Sequence, residues 1–215
     1  MTKFFYRVIT SIILILILYI SLKSNYVLML LLMLISIFSL NEFNNIFKKI
    51  YKRNKNLNFI SMILSIFYLA FFSTSVWIFL ISSSQINEIK LVFLLIVCIS
   101  TDIGGYIFGK IIGGKKLTKI SPNKTFSGAA GSLAISIIAG YSYLYSMNSI
   151  PINSFNTIIL IILISLISQI GDLIISFFKR KAQIKDTGTI LPGHGGILDR
   201  IDGILLALPL GIILI

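Results

Sequence analysis

The sequence predicts an all-α, polytopic integral membrane protein: a helix bundle with about seven transmembrane helices and its amino terminus in the cytoplasm. Three observations carry that prediction. The 215 residues are 56% hydrophobic and only 12% charged, outside the range of soluble domains. The apolar residues gather into runs long enough to cross a bilayer, joined by short polar loops. The basic residues crowd onto alternate loops, as membrane topology requires.

The runs fall at about 5–22, 25–40, 58–82, 89–109, 127–147, 155–178 and 201–215. The first has the charged start and apolar centre of a signal peptide, but no small-x-small cleavage site follows, so it is expected to be retained. The second and last are short for a bilayer of about 30 Å. On this scheme one side receives seventeen of the 19 Lys and Arg residues, and the other only Lys23 and Lys90. The positive-inside rule then puts the amino terminus and the basic loops in the cytoplasm and the carboxyl terminus outside. The formal charge of +12 therefore follows from topology and calls for no nucleic acid partner. Cys98 lies alone in an apolar run, where it reads as a small packing residue.

The chain divides into N-terminal transmembrane helices, residues 1–88, and a catalytic transmembrane region, residues 89–215, with cytoplasmic loops at 110–127 and 179–200. The two form one continuous membrane domain. The stretch from Asn41 to Asn58 reads as a loop rich in Lys and Asn with almost no acids, suited to setting topology and touching anionic headgroups. Gly128, Ser132, Ser136 and Gly140 recur at intervals of four and predict a ridge for close helix packing.

Two spans carry an acid, which at the bilayer centre costs about 2.5–3.5 kcal/mol and so calls for a partner. In the fourth, Cys98, Thr101, Asp102, Gly105 and Gly109 make a small, polar stripe. In the sixth, Ser165, Ser168, Gln169, Asp172, Ser176 and Lys179 fall on one face. Both stripes are expected to face protein or water rather than lipid. Beyond the sixth span come the cations Lys179, Arg180, Lys181 and Lys185, then Asp186, a glycine-rich turn through His194, and Asp199, Arg200 and Asp202. Two carboxylates, Asp172 and Asp199, meeting beneath Lys and Arg side chains would suit one or two Mg²⁺ ions carrying a polyphosphate.

The loop between the fourth and fifth spans nearly spells a P-loop. Gly109, Gly114 and Lys115 fit G-x-x-x-x-G-K, but Lys116 stands where a metal-binding hydroxyl is needed, and the glycines leave a membrane helix rather than a strand. What survives is a basic, hydroxyl-bearing loop that offers Ser121, Lys124, Thr125 and Ser127 to phosphate oxygens. His194 is the sole histidine, and Gly195 and Gly196 could present backbone N–H groups as an anion nest.

The pattern Ser176-x-x-Lys179-Arg180-x4-Lys185-Asp186-x-Gly188-x3-Pro192-Gly193-His194-Gly195-Gly196-x-x-Asp199-Arg200-x-Asp202 resembles the carboxyl-terminal motif of the phosphatidate cytidylyltransferases, or CDP-diacylglycerol synthases. Asp102-x-x-Gly105-Tyr106-x-x-Gly109-Lys110 and Ser121-Pro122-x-Lys124-Thr125-x-x-Gly128 resemble two earlier motifs of the same family. Ser127 stands where many members carry an acid, so it is given no acid role.

The resemblance implies Mg²⁺-dependent transfer of a cytidylyl group from CTP to phosphatidate in a bacterial inner membrane, giving CDP-diacylglycerol and pyrophosphate for phospholipid biosynthesis. Asp172 and Asp199 are then the expected metal ligands, with a second ion left open, and together with Lys179 and Arg200 form the catalytic set. Ser121, Lys124, Thr125, Lys179, Arg180, Lys185, His194, Gly195, Gly196 and Arg200 are expected to bind CTP and phosphate, with Asp102, Asp186 and Asp202 as supporting acids. The expected partners are CTP, phosphatidate and the lipid bilayer, with a homodimer left open. The alternatives are a related CTP-dependent enzyme acting on another lipid phosphate or a polyprenol, and a membrane transporter.

Overall fold

In a computed structural model, the described residues are 2–81, 85–118, 121–147, 154–191, 193 and 195–215. They form seven helices: α1 (Thr2–Lys23), α2 (Asn25–Ile50), α3 (Lys55–Ile81), α4 (Gln85–Ile111), α5 (Phe126–Met147), α6 (Ser154–Lys181) and α7 (Leu198–Leu214). Helices α2, α3, α4 and α6 are long and apolar enough to cross a membrane. This is the expected all-helical, multi-pass membrane architecture.

One boundary differs from the sequence reading in a way that matters. The segment expected to be a loop from Asn41 is helical through Ile50, because Phe43, Ile46, Phe47 and Ile50 keep helical spacing after the hydropathy drops. Phe43, Ile46 and Phe47 are buried. Lys48 and Lys49 lie in the last turn, where cations suit the helix dipole.

The chain forms two compact units. Residues 1–81 and 178–201 make the first; residues 82–177 and 202–215 make the second. In the first unit the last turn of α6 packs against the end of α2. Phe47 meets Phe178 edge-on with ring centroids 5.5 Å apart, and Lys181 lies over the Tyr51 ring at 5.6 Å.

In the second unit, α4 and α5 approach closely along the predicted small-residue ridge. A Cβ on Gly104 would fall 2.6 Å from the Gly131 carbonyl oxygen, and one on Gly128 would fall 2.9 Å from that of Gly105. Polar side chains tie the helices together. The Ser132 hydroxyl donates to the Thr101 carbonyl at 2.7 Å, and the Thr101 hydroxyl donates to Ser165 at 2.8 Å. Ser165, Ser168 and Ser176 are buried, so the polar stripe on α6 does face protein. Cys98 is buried as expected. Asp102, by contrast, lies on an exposed flank of α4 while its neighbour Thr101 points inward.

Candidate active site

In the second unit the loop before α5 is folded by its own backbone. The Leu117 N–H donates to the Lys124 carbonyl at 2.8 Å, and the Phe126 N–H donates to the Lys115 carbonyl at 3.1 Å. Thr125 caps α5, its hydroxyl accepting the Gly128 N–H at 3.0 Å. The Ser127 hydroxyl donates to the Gly113 carbonyl. The Ser121 N–H donates to Thr118 Oγ1 at 3.2 Å, and the Lys124 N–H donates to the Ser121 carbonyl at 3.0 Å, closing the turn that leads to Lys124. This frame aims the Lys124 ammonium at Asp172 on α6, with which it forms an ion pair. The other Asp172 oxygen accepts the Ser176 hydroxyl at 3.2 Å. Both partners keep about a quarter of their side-chain surface, 26% for Lys124 and 25% for Asp172, so the pair is reachable from outside the protein.

In the first unit α6 ends in a Schellman motif. The Ile184 N–H bonds the Lys179 carbonyl and the Gln183 N–H bonds that of Arg180, both at 3.0 Å, with Gln183 in the left-handed region at φ 55°. That reversal starts the return to α7. Leu191 and Gly195 then close a tight turn by exchanging two backbone hydrogen bonds of 2.9 and 3.1 Å. Gly193 and Gly195 sit at φ 76° and 87°, conformations that a side chain would resist.

Asp199, in the first turn of α7, gathers this segment. Its Oδ1 accepts Lys179 Nζ at 2.8 Å; its Oδ2 faces the N–H groups of Thr187 at 2.8 Å and Gly196 at 3.0 Å and the Thr187 hydroxyl at 3.1 Å. The pair is better shielded than Lys124 and Asp172, with Lys179 at 14% and Asp199 at 6% side-chain exposure. Burial alone would raise the Asp199 pKa, but the hydrogen bond from Lys179, the N–H groups of Thr187 and Gly196 and the lysine charge outweigh it. They hold the carboxyl below its ordinary value.

Behind Asp199 stands a residue that sequence reasoning missed. Glu42, on the helical part of α2 that had been assigned to a loop, is only 2% exposed. Its carboxylate accepts the Ile197 N–H at 2.8 Å, the Leu198 N–H at 2.9 Å and the Thr187 hydroxyl at 2.6 Å. The signal was present: Glu42 is the sole acid before Glu88, and it shares helical spacing with Phe43, Ile46 and Ile50. Thr187 was missed too, since a hydroxyl inside a basic segment carries no distinctive pattern.

The structure thus joins Lys124 to Asp172 and Lys179 to Asp199. Arg180, Lys185, Asp186 and Arg200 are exposed. His194 lies outside the described residues. The N–H groups of Gly195 and Gly196, expected to face a phosphate, are bonded within the segment instead, to the Leu191 carbonyl and to Asp199. Tight closure of the turn needs them there. The Thr125 hydroxyl likewise serves the α5 cap, and it lies 2.9 Å from the Ser127 hydroxyl. The Gly203 N–H donates to Asp202 Oδ1 at 2.9 Å.

Among the described residues no three His, Cys, Asp or Glu side chains converge on a metal position. The donor chemistry still suits Mg²⁺: each acid is a hard oxygen ligand already facing one cation. The N–H groups of Thr187 and Gly196 occupy Oδ2 of Asp199, which leaves Oδ1 as the oxygen open to exchange its ammonium for another cation.

Two lysine–carboxylate pairs and further exposed cations on a multi-helix membrane protein are chemically suited to polyanions. Residues 48–215 match the model of the Cytidylyltransferase family, and the chain belongs to that family. It is 47% identical over 118 residues to a phosphatidate cytidylyltransferase of Brucella suis, a match covering 54% of this chain and 43% of the relative. It is 46% identical over 111 residues to one of Staphylococcus haemolyticus, covering 51% and 42%, and 47% identical over 111 residues to one of Staphylococcus aureus, again covering 51% and 42%. The matched stretch thus spans somewhat under half the length of these curated relatives.

Proposed function

We propose that the protein transfers the cytidylyl group of CTP to phosphatidate, releasing pyrophosphate and leaving CDP-diacylglycerol in the membrane. The observation that carries this reading is the pairing of both expected acids with lysines, Asp172 with Lys124 and Asp199 with Lys179. Each pair holds a cation where a polyphosphate can attract it and an anion where a metal can replace it.

In the reaction a phosphate oxygen of phosphatidate forms a bond to the α-phosphorus of CTP, and the bond from that phosphorus to the β-phosphate bridging oxygen breaks. A phosphate monoester has a second pKa of about 6, so the nucleophile is already largely ionised near neutral pH. No general base is needed, which agrees with a sequence that holds one histidine. A lysine drawn from its carboxylate toward phosphate oxygens, Lys124 in one unit or Lys179 in the other, neutralises charge as it builds on the leaving pyrophosphate. The exposed cations Arg180, Lys185 and Arg200 draw the triphosphate in from the aqueous side. Asp172 and Asp199 are the residues that would hold Mg²⁺, which when bound supplies further charge neutralisation at the phosphates.

The lipid substrate keeps its tails in the bilayer while CTP arrives from the cytoplasm, the side on which the basic loops are expected. The purified protein should consume CTP only when phosphatidate and Mg²⁺ are both supplied. Turnover that ignores the lipid would reject the proposal.

A further inference from the structure

We infer that Glu42 is a positioning residue for Asp199, holding the Asp186–Leu198 segment in the shape that presents the Asp199 carboxylate and its lysine. The inference rests on the proposed role of Asp199, and its geometry lies wholly within the first unit.

Glu42 makes two kinds of contact. Through the N–H groups of Ile197 and Leu198 it caps α7 from another helix, satisfying donors that the helix start leaves without intrahelical partners. Through the Thr187 hydroxyl it reaches Asp199 itself. Thr187 Oγ1 lies 2.6 Å from Glu42 Oε2 and 3.1 Å from Asp199 Oδ2. A hydroxyl has one proton, so the shorter contact takes it, and Thr187 is pinned by Glu42. The Thr187 N–H is then aimed at Asp199 Oδ2, at 2.8 Å.

The glycines around Glu42 fit this reading. A Cβ on Gly188 would fall 2.7 Å from Glu42 Oε1, and one on Gly196 would fall 2.5 Å from Oε2. The segment is bare of side chains where it wraps the carboxylate. Glu42 also precedes the stretch that matches the family model, which begins at residue 48.

A glutamine cannot replace it. The carboxylate serves three donors with acceptor-only oxygens, whereas either orientation of an amide turns its NH₂ toward Ile197 or Leu198 and sets donor against donor.

The test measures residue-level amide hydrogen exchange and CTP turnover of the full chain in detergent micelles, for wild type and for Glu42→Gln, Thr187→Val and Thr187→Ser. Glu42→Gln should speed exchange at Ile197 and Leu198, which it contacts, and also at Thr187 and Gly196, whose N–H groups bond Asp199. Its kcat should fall about 10- to 100-fold while KM for CTP changes less than threefold, since Glu42 is not expected to touch substrate. Thr187→Val, which leaves the α7 cap in place, should reproduce the faster exchange at Gly196 and the loss of kcat, and Thr187→Ser should recover both. Faster exchange confined to Ile197 and Leu198, or kcat kept in both Glu42→Gln and Thr187→Val, would reduce Glu42 to a helix cap and overturn the inference. Absence of CTP turnover in the wild type would instead sink the proposed function, and the exchange pattern would still decide the role of Glu42.

Discussion

Glu42 and Asp199 share one hydroxyl: Thr187 Oγ1 stands 2.6 Å from the first carboxylate and 3.1 Å from the second. The two acids are 157 positions apart in sequence, yet the return of the chain from α6 to α7 passes between them. Asp199 is consequently fixed from both sides, by Lys179 at one oxygen and by Thr187 and Gly196 at the other.

Removing the charge of either paired acid should stop the reaction without unfolding the protein. Asp172→Asn and Asp199→Asn keep side-chain shape but leave Lys124 or Lys179 without its anion. Turnover should drop by about 100-fold or more in each, with thermal melting in detergent still cooperative. Near-normal turnover in either variant would remove that acid from the site.

The depressed pKa of Asp199 makes a prediction about pH. A group whose folded pKa lies below its unfolded value adds stability above the unfolded value, about 3.9 for aspartate, and loses it as pH falls through the folded one. The stability difference between wild type and Asp199→Asn should hold level from neutral pH to about 5 and shrink below about 4. Denaturation curves at stepped pH would show it, and a difference that stays level throughout would contradict the pairing.

The contact between α4 and α5 has no room for a methyl group at Gly104, where a Cβ would meet backbone rather than a flexible side chain. Gly104→Ala should therefore destabilise the protein by about 1–3 kcal/mol, read as a lower melting temperature in detergent. An unchanged melting temperature would mean that the helices are less closely packed.

Membrane orientation is tested at Gln183, exposed beyond the end of α6. With the buried Cys98 replaced by serine, Gln183→Cys should react with a membrane-impermeant maleimide in inverted vesicles and not in intact cells. Labelling in intact cells would reverse the topology.

The helical membrane architecture was legible because bilayer spans obey length and hydropathy rules that leave plain marks, and the small-residue ridge on α5 was legible by the same periodicity. Lys179 and Asp199 stood out as members of one charged segment, but the Thr187 and Gly196 donors that complete the neighbourhood of Asp199 carried no such mark. The Lys124–Asp172 pair was harder, since both residues stood out but nothing in their spacing joined them. Glu42 was missed for a physical reason: hydropathy fades at Asn41 although the helix continues, so a buried acid was read as part of a solvated loop. The glycine turn misled in the other direction, because N–H groups that look free in sequence are taken up by Leu191 and Asp199 once the chain closes.

The fate of the α-phosphate tests the central claim most directly. Purified protein in mixed micelles with phosphatidate and Mg²⁺ would be given CTP labelled on either the α- or the γ-phosphate. Cytidylyl transfer predicts α-label in the lipid product, γ-label in pyrophosphate, and the two in equal amounts. The γ-label in the lipid with CDP released, or no label in lipid at all, would contradict it.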